Sequence, residues 1–124
     1  MRRNEITPEL IELSKRAKEL GFPQDVERSD WVIKKWKSGL HRISFVGNIK
    51  AFRQQNLDYA LILSFSRCLE WLENKSKGEM IGLDPNNFIH GHWIMGIKTK
   101  TYRGKNIHEA GAKAVVMKLE ENNA

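Results

Sequence analysis

The sequence predicts a single α+β domain over residues 1–124: a four-stranded antiparallel sheet covered by helices in the order α-β-β-α-β-β-α. Three observations predict it. Apolar residues recur at helical spacing in three separate stretches. Short β-rich runs lie between those stretches, and tight turns that favour antiparallel pairing join the runs. A chain of 124 residues can build one core, and 40% hydrophobic residues with four tryptophans argue for a folded globule.

Thr7-Pro8-Glu9 opens the first helix, with Thr7 as cap and Pro8 at the first helical position. Leu10, Leu13, Ala17 and Leu20 follow at helical spacing, and Gly21 with Pro23 stops the run. Lys15, Arg16 and Lys18 interleave with Glu9, Glu12 and Glu19 as a solvated face. Trp31–Trp36 and Leu40–Val46 read as a hairpin closed by a two-residue turn, Ser38-Gly39. That register pairs Val32 with Phe45, Lys34 with Ile43 and Trp36 with His41, and it sets Lys35 opposite Arg42. Like charges directly opposite are destabilising, so that face either meets anions or has another register.

Residues 47–58 have no clear period and read as a loop with at most one helical turn, and Tyr59–Leu63 is a short apolar run. Ser64 or Ser66 caps a second helix, in which Phe65, Cys68, Leu69 and Leu72 share a face, and Asn74–Gly78 ends it. Glu79–Leu83 reads as a short strand, Asp84-Pro85-Asn86-Asn87 as a turn, and Ile89–Tyr102 as the last strand. In that strand Trp93, Met95 and Ile97 alternate with His92, Gly96 and Lys98. After the turn Arg103-Gly104-Lys105, Asn106 caps the final helix while Glu109 reaches back to the cap amide. Ile107, Ala110, Gly111, Ala114 and Met117 form its stripe, small enough for a close approach to a sheet.

The net charge of +6, from 21 basic and 15 acidic residues, is unevenly spread. Between Asp30 and Asp58 there is no acid, while Lys34, Lys35, Lys37, Arg42, Lys50 and Arg53 are all basic. Between Asp84 and Glu109 there is again none, with Lys98, Lys100, Arg103 and Lys105. Those ten leave 11 basic residues against 15 acids elsewhere, a net of −4. Such segregation suits a polyanion, and it also suits strand edges guarded by lysine. Trp36 and Tyr102 stand among these charges, and aromatic rings on a positive surface can stack on unpaired bases. The candidate nucleic-acid contacts are therefore Lys35, Trp36, Lys37, Arg42, Lys98, Lys100, Tyr102 and Arg103.

No stretch is long and apolar enough to span a membrane, and no apolar signal core follows the N-terminus. One cysteine excludes an internal disulfide and fits a reducing compartment, so a cytoplasmic location is expected. His90-Gly91-His92 puts two imidazoles on one strand face, but a metal site needs three or four ligands, so no metal and no cofactor is expected. Cys68 lies on the apolar face of its helix without a general base nearby. No paired-carboxylate, Ser/His/Asp or phosphate-loop pattern occurs, so a small metal- or cysteine-dependent enzyme is the weaker reading and no catalytic residue is assigned.

Two resemblances bear on function. Arg103 to Ala110, a strand end, a Gly-Lys turn and a helix with Glu-Ala, resembles the end of a double-stranded RNA-binding domain. Where that family carries phosphate-binding lysines, this chain has Ile107, His108 and Gly111, so the likeness implies architecture alone. Thr7 to Leu13, Gly21 to Val26, Asp30-Trp31 and Ser66 to Leu72 resemble small uncharacterised bacterial proteins, including prophage-borne ones. The closing Gly104-Lys105-Asn106 with Glu109-Ala110 is similar to the helix of the phage ABA sandwich domains. This second resemblance implies a three-layer α/β/α sandwich encoded on mobile DNA, with no established activity. The expected function is thus a non-enzymatic accessory protein of prophage type that binds a protein or nucleic-acid partner.

Overall fold

The computed structural model of the chain describes residues 1–75, 81–89, 92–97 and 100–123, with side chains described within 1–75 and 100–123. The first helix, α1 (Pro8–Glu19), begins as its sequence dictates: the Thr7 Oγ1 accepts from the Leu10 amide at 3.1 Å, with Pro8 in the first turn. It ends where Gly21 donates to the Lys18 carbonyl and Phe22 to the Ala17 carbonyl, at 3.1 and 2.9 Å. Leu10 and Ala17 are buried on its inner face, and so is Ser14, whose Oγ accepts from the Leu63 amide at 3.0 Å.

The hairpin forms as expected from β1 (Trp31–Lys35) and β2 (His41–Phe45), but its register differs by one residue. Trp31 faces Phe45, Ile33 faces Ile43, Lys34 faces Arg42 and Lys35 faces His41. The turn explains the shift. Trp36 donates to the Leu40 carbonyl at 3.0 Å and Gly39 donates to the Trp36 carbonyl at 2.9 Å, so the loop is Lys37-Ser38-Gly39 and not Ser38-Gly39. Gly39 sits at φ +86°, the left-handed residue that a three-residue hairpin loop needs. One extra loop residue moves the pairing by one and exchanges which side chains share a face.

Residues 49–54 form the short helix α2 (Ile49–Gln54), capped by the Asn48 Oδ1 on the Ala51 amide at 3.0 Å. The apolar run beyond it contains a strand that the pattern did not reveal, β3 (Asp58–Leu61), which pairs antiparallel with β1. Helix α3 (Phe65–Lys75) follows, with Ser64 before it accepting from the Arg67 amide at 3.4 Å. Its predicted face is the buried one: Cys68 and Leu72 are fully enclosed, and Phe65 and Leu69 pack on the core.

The chain continues through β4 (Ile81–Ile89), β5 (His92–Ile97), β6 (Lys100–Gly104) and α4 (Ile107–Asn122). Two expectations need correction. Asp84-Pro85-Asn86-Asn87 is not a chain-reversing turn but lies inside β4, where pairing jumps from Leu83–Met95 to Phe88–Trp93. Proline has no amide hydrogen for the ladder, so the pairing lapses there as an irregularity without reversing the strand. The expected strand Ile89–Tyr102 is two strands, β5 and β6, with Ile97 facing Lys100 and Met95 facing Tyr102. Alternation continues through both arms of a hairpin, so the period does not reveal the reversal. His90, Gly91, Lys98 and Glu79 lie outside the described residues.

The single four-stranded sheet is accordingly replaced by two three-stranded antiparallel sheets among the described residues, ordered β2-β1-β3 and β4-β5-β6. Helix α4 touches β5 and β6, and it also packs on α1 and α3, while α1 touches β3. A helix enclosed on several sides should be apolar or small nearly all round, and α4 is: Ala110, Ala112, Ala114, Val115, Val116 and Leu119 are buried. The expected narrow stripe is therefore too simple, with Met117 42% exposed. Nor does Gly111 bring the helix close to a sheet. A Cβ there would lie 3.1 Å from the Cys68 Cβ, so the close approach is to α3. At Gly104 a Cβ would lie 2.4 Å from the Ala110 nitrogen, so only glycine lets β6 run so tightly into α4.

Candidate nucleic-acid interface

The basic residues picked out by the acid-free stretches fall into two separate groups. Lys35, Trp36, Lys37 and Arg42 gather on the β1–β2 hairpin, while Lys100, Tyr102 and Arg103 lie on β6 in the other sheet. Lys98 lies outside the described residues. From β6 the packing runs through α4 and α1 before it reaches the first sheet, at β3. Among the described residues the two groups therefore sit in different sheets and share no strand pairing.

The two groups also differ in their surroundings. Lys100 is paired with Glu121 of α4 at 2.5 Å, and Tyr102 packs against the core. Arg103 is exposed. On the hairpin, Lys35, Lys37 and Arg42 are exposed, Trp36 is half-buried outside the main core, and Leu40 is 65% exposed. The corrected register sorts these side chains. Residues opposite each other, and those two apart, share a face, so Lys34, Trp36, Leu40 and Arg42 lie on one face and Lys35 and His41 on the other. The like-charged pair is thus Lys34–Arg42. Lys34 turns towards α2, where its Nζ donates to the Gln55 Oε1 at 2.7 Å and lies 5.8 Å from the centre of the Phe52 ring. That leaves Arg42 projecting beside Trp36 and Leu40, with no ion pair among the described residues.

The opposite face borders a cleft of about 370 Å³ between α1 and the sheet, lined by Lys15, Lys18, Lys35, His41, Asp58 and Tyr59 over Ile33 and Ala60. The Lys18 Nζ donates to the Asp58 Oδ1 at 2.7 Å and to the Tyr59 carbonyl. This bond holds the Asp58 carboxyl below its ordinary range, and Lys35 adds to the effect. Sequence reasoning read Lys15 and Lys18 as an unremarkable solvated face and left His41 out. Their signal was tertiary for the lysines, and for His41 it was the correct hairpin register.

A second polar cluster ties the chain ends together. His108 is buried, its Nδ1 accepts from the Phe65 amide at 2.8 Å, and its Nε2 lies 3.2 Å from the Glu5 Oε2. The first bond requires a bare Nδ1, so the ring is neutral with its proton on Nε2, directed at Glu5. Burial lowers the His108 pKa, and Glu5 opposes that only in part. The Arg2 amide, 2.6 Å from the Glu5 carboxylate, is the main reason Glu5 stays ionised to lower pH than usual. Glu109 is 2% exposed. It accepts from the Thr7 hydroxyl at 2.5 Å and from the Lys105 amide at 3.3 Å, while its own amide donates to the Asn106 Oδ1 at 2.9 Å. The predicted cap at Asn106 is present, but the carboxylate reaches Lys105 and Thr7 and not the cap amide. Both nitrogens of His108 are engaged within the fold, which leaves none to serve a substrate. Cys68 is enclosed, and burial pushes its thiol far up, so it is not a thiolate near neutral pH.

Among the described residues, no three histidine, cysteine or acidic side chains come close enough to hold a metal ion, and no helix is long and apolar enough to cross a membrane. The side chain of His92 and all of His90 lie outside what is described. No protein-family model matches the chain, and comparison with curated proteins and with solved structures finds no similar one.

Proposed function

We propose that the chain is a non-enzymatic accessory protein, of the prophage type its resemblance suggests, that acts by binding a macromolecule through the β1–β2 hairpin. Single-stranded nucleic acid is the partner this surface fits best. One observation carries the reading: Trp36, Leu40 and Arg42 share a hairpin face, flanked by Lys37 at the tip, in a stretch with no acid between Asp30 and Asp58. An aromatic ring beside basic groups offers a stacking platform and phosphate neutralisation together, the pairing that sequence-tolerant single-strand binders use.

Fluorescence anisotropy with a labelled single-stranded oligonucleotide tests this. Affinity should fall steeply with salt, with a log–log slope of roughly −0.7 per phosphate contact. Trp36→Ala should cost about 1–3 kcal/mol of binding, the usual worth of one stacked base. An absence of binding at low salt would overturn the nucleic-acid reading.

The outer edge of β2 favours a second reading. Among the described residues it is an end strand of its sheet, and its Phe45 is 52% exposed, in a tilted ring contact with Trp31 at 5.2 Å. Such an edge can accept a strand from a protein partner.

A further inference from the structure

We infer that the cleft under the hairpin is a nucleotide-binding subsite, taking a phosphate ester whose flat ring rests on the Ile33–Ala60 floor. The inference rests on the nucleic-acid reading of the hairpin and names the part of a strand that its other face would hold. Its volume of about 370 Å³ falls in the range of small-molecule sites, roughly 300–1,000 Å³.

The charges of the cleft select an anion. Of its acids, Asp58 is taken by Lys18 at 2.7 Å, and Glu19 is paired with Arg16 at 3.2 Å. Among the described residues Lys15 reaches the exposed Glu12, at 3.6 Å, a contact worth little in water. Lys35 sits between His41 and Asp58 across the ladder. Lys15, Lys35 and His41 therefore stand as donors around an opening whose acids already have partners. Beneath them Ile33 and Ala60 are 5% and 7% exposed, and Tyr59 lies along the strand that borders the cleft. A free phosphate would leave that apolar floor uncovered. A nucleoside would leave the cations without a partner. A nucleotide meets both requirements, since charge-assisted hydrogen bonds hold its phosphate while its ring covers the floor. The cleft opens on the face of Lys35 and His41, and Trp36 and Arg42 lie on the other face, so one strand could lie over the hairpin with one of its units lodged below.

Amide chemical-shift mapping of the full chain tests the assignment, with adenosine 5′-monophosphate, adenosine and inorganic phosphate titrated separately and a single-stranded oligonucleotide titrated in parallel. The monophosphate should saturably shift Ile33, Lys35, His41 and Ala60, and should bind at least about tenfold more tightly than either fragment. Lys15→Gln should weaken it about fivefold. If the oligonucleotide binds while the monophosphate shifts none of these amides, the subsite is overturned and the hairpin reading stands. If the monophosphate binds here and the oligonucleotide does not bind, the subsite stands and the strand reading falls. Equal affinity for inorganic phosphate would overturn the nucleotide assignment, and silence from every probe would overturn both readings.

Discussion

The β1–β2 hairpin and the β6–α4 junction carry the same signature, a stretch free of acids with lysines, arginines and an aromatic ring, yet the fold treats them oppositely. At the junction the next helix brings an acid back, Glu121 pairing with Lys100, while the buried Glu109 accepts from the Lys105 backbone amide and the Thr7 hydroxyl. Tyr102 goes to the core. At the hairpin, among the described residues, no acid pairs with Lys37 or Arg42, and both side chains are exposed. Charge segregation along a chain therefore marks a surface only where the following element does not cancel it. The junction is packed and the hairpin tip is exposed, and substitutions should separate the two.

The largest effect is expected at Gly104. A methyl group there would lie 2.4 Å from the Ala110 nitrogen and 2.6 Å from the Glu109 Cβ, atoms that cannot move without displacing the helix. Gly104→Ala should cost about 3 kcal/mol and lower Tm by roughly 10 °C in a thermal melt. A change below 1 °C would show that the junction is not tightly packed.

His108→Ala comes next. It leaves the Phe65 amide and the Glu5 carboxylate without their partner, a loss of about 1–3 kcal/mol. The histidine also sets a pH dependence. Its pKa is lowered by burial in the folded state, so the unfolded chain binds a proton first as pH falls. Its stabilising contribution is full above about pH 6.5, the unfolded value, and is lost as pH drops through the lower folded value. Glu109 and Glu5 are the acids in or beside this cluster. Glu5 is itself lowered, so its own contribution fades only below about pH 4.3, which separates the two windows. Urea midpoints measured from pH 7.5 to 5 should fall for the native chain and flatten for His108→Gln.

Part of this contrast was legible in the sequence. The caps at Thr7 and Asn106 were readable because a cap is a local hydrogen bond, three residues long in each case. The hairpin was readable from its β-rich arms, but its register depended on whether the loop held two residues or three, and Gly39 fits either length. Strand β3 was missed because Tyr59–Leu63 is apolar throughout and shows no period. The turn-forming residues 84–87 misled, since Pro85 can interrupt a ladder as well as end a strand. What no local pattern could show is the pairing of His108 with Glu5, 103 residues apart, or of Glu109 with Thr7, 102 apart. The candidate site was half visible for the same reason: basic residues can be counted in sequence, but the acids that neutralise them arrive through the fold.

A smaller effect sharpens the comparison within α4. At Gly111 an added methyl group would lie 3.1 Å from the Cys68 Cβ and 3.4 Å from its Sγ. The crowding is offset by the gain from alanine inside a helix, about 1 kcal/mol. Gly111→Ala should therefore change stability by less than about 1 kcal/mol, well below Gly104→Ala, as read from urea midpoints.

The most direct test of the central claim compares matched charge removals in one binding assay. Lys37→Gln with Arg42→Gln clears the hairpin, and Lys100→Gln with Arg103→Gln clears β6. Anisotropy titrations with a labelled single-stranded oligonucleotide across a salt series give an affinity and a slope for each. The hairpin pair should weaken binding and flatten the log–log slope by roughly 1.4, two contacts at about 0.7 each, with the melting temperature unchanged. The β6 pair should leave affinity and slope at the native values. Loss of binding from the β6 pair, with the hairpin pair silent, would contradict the account.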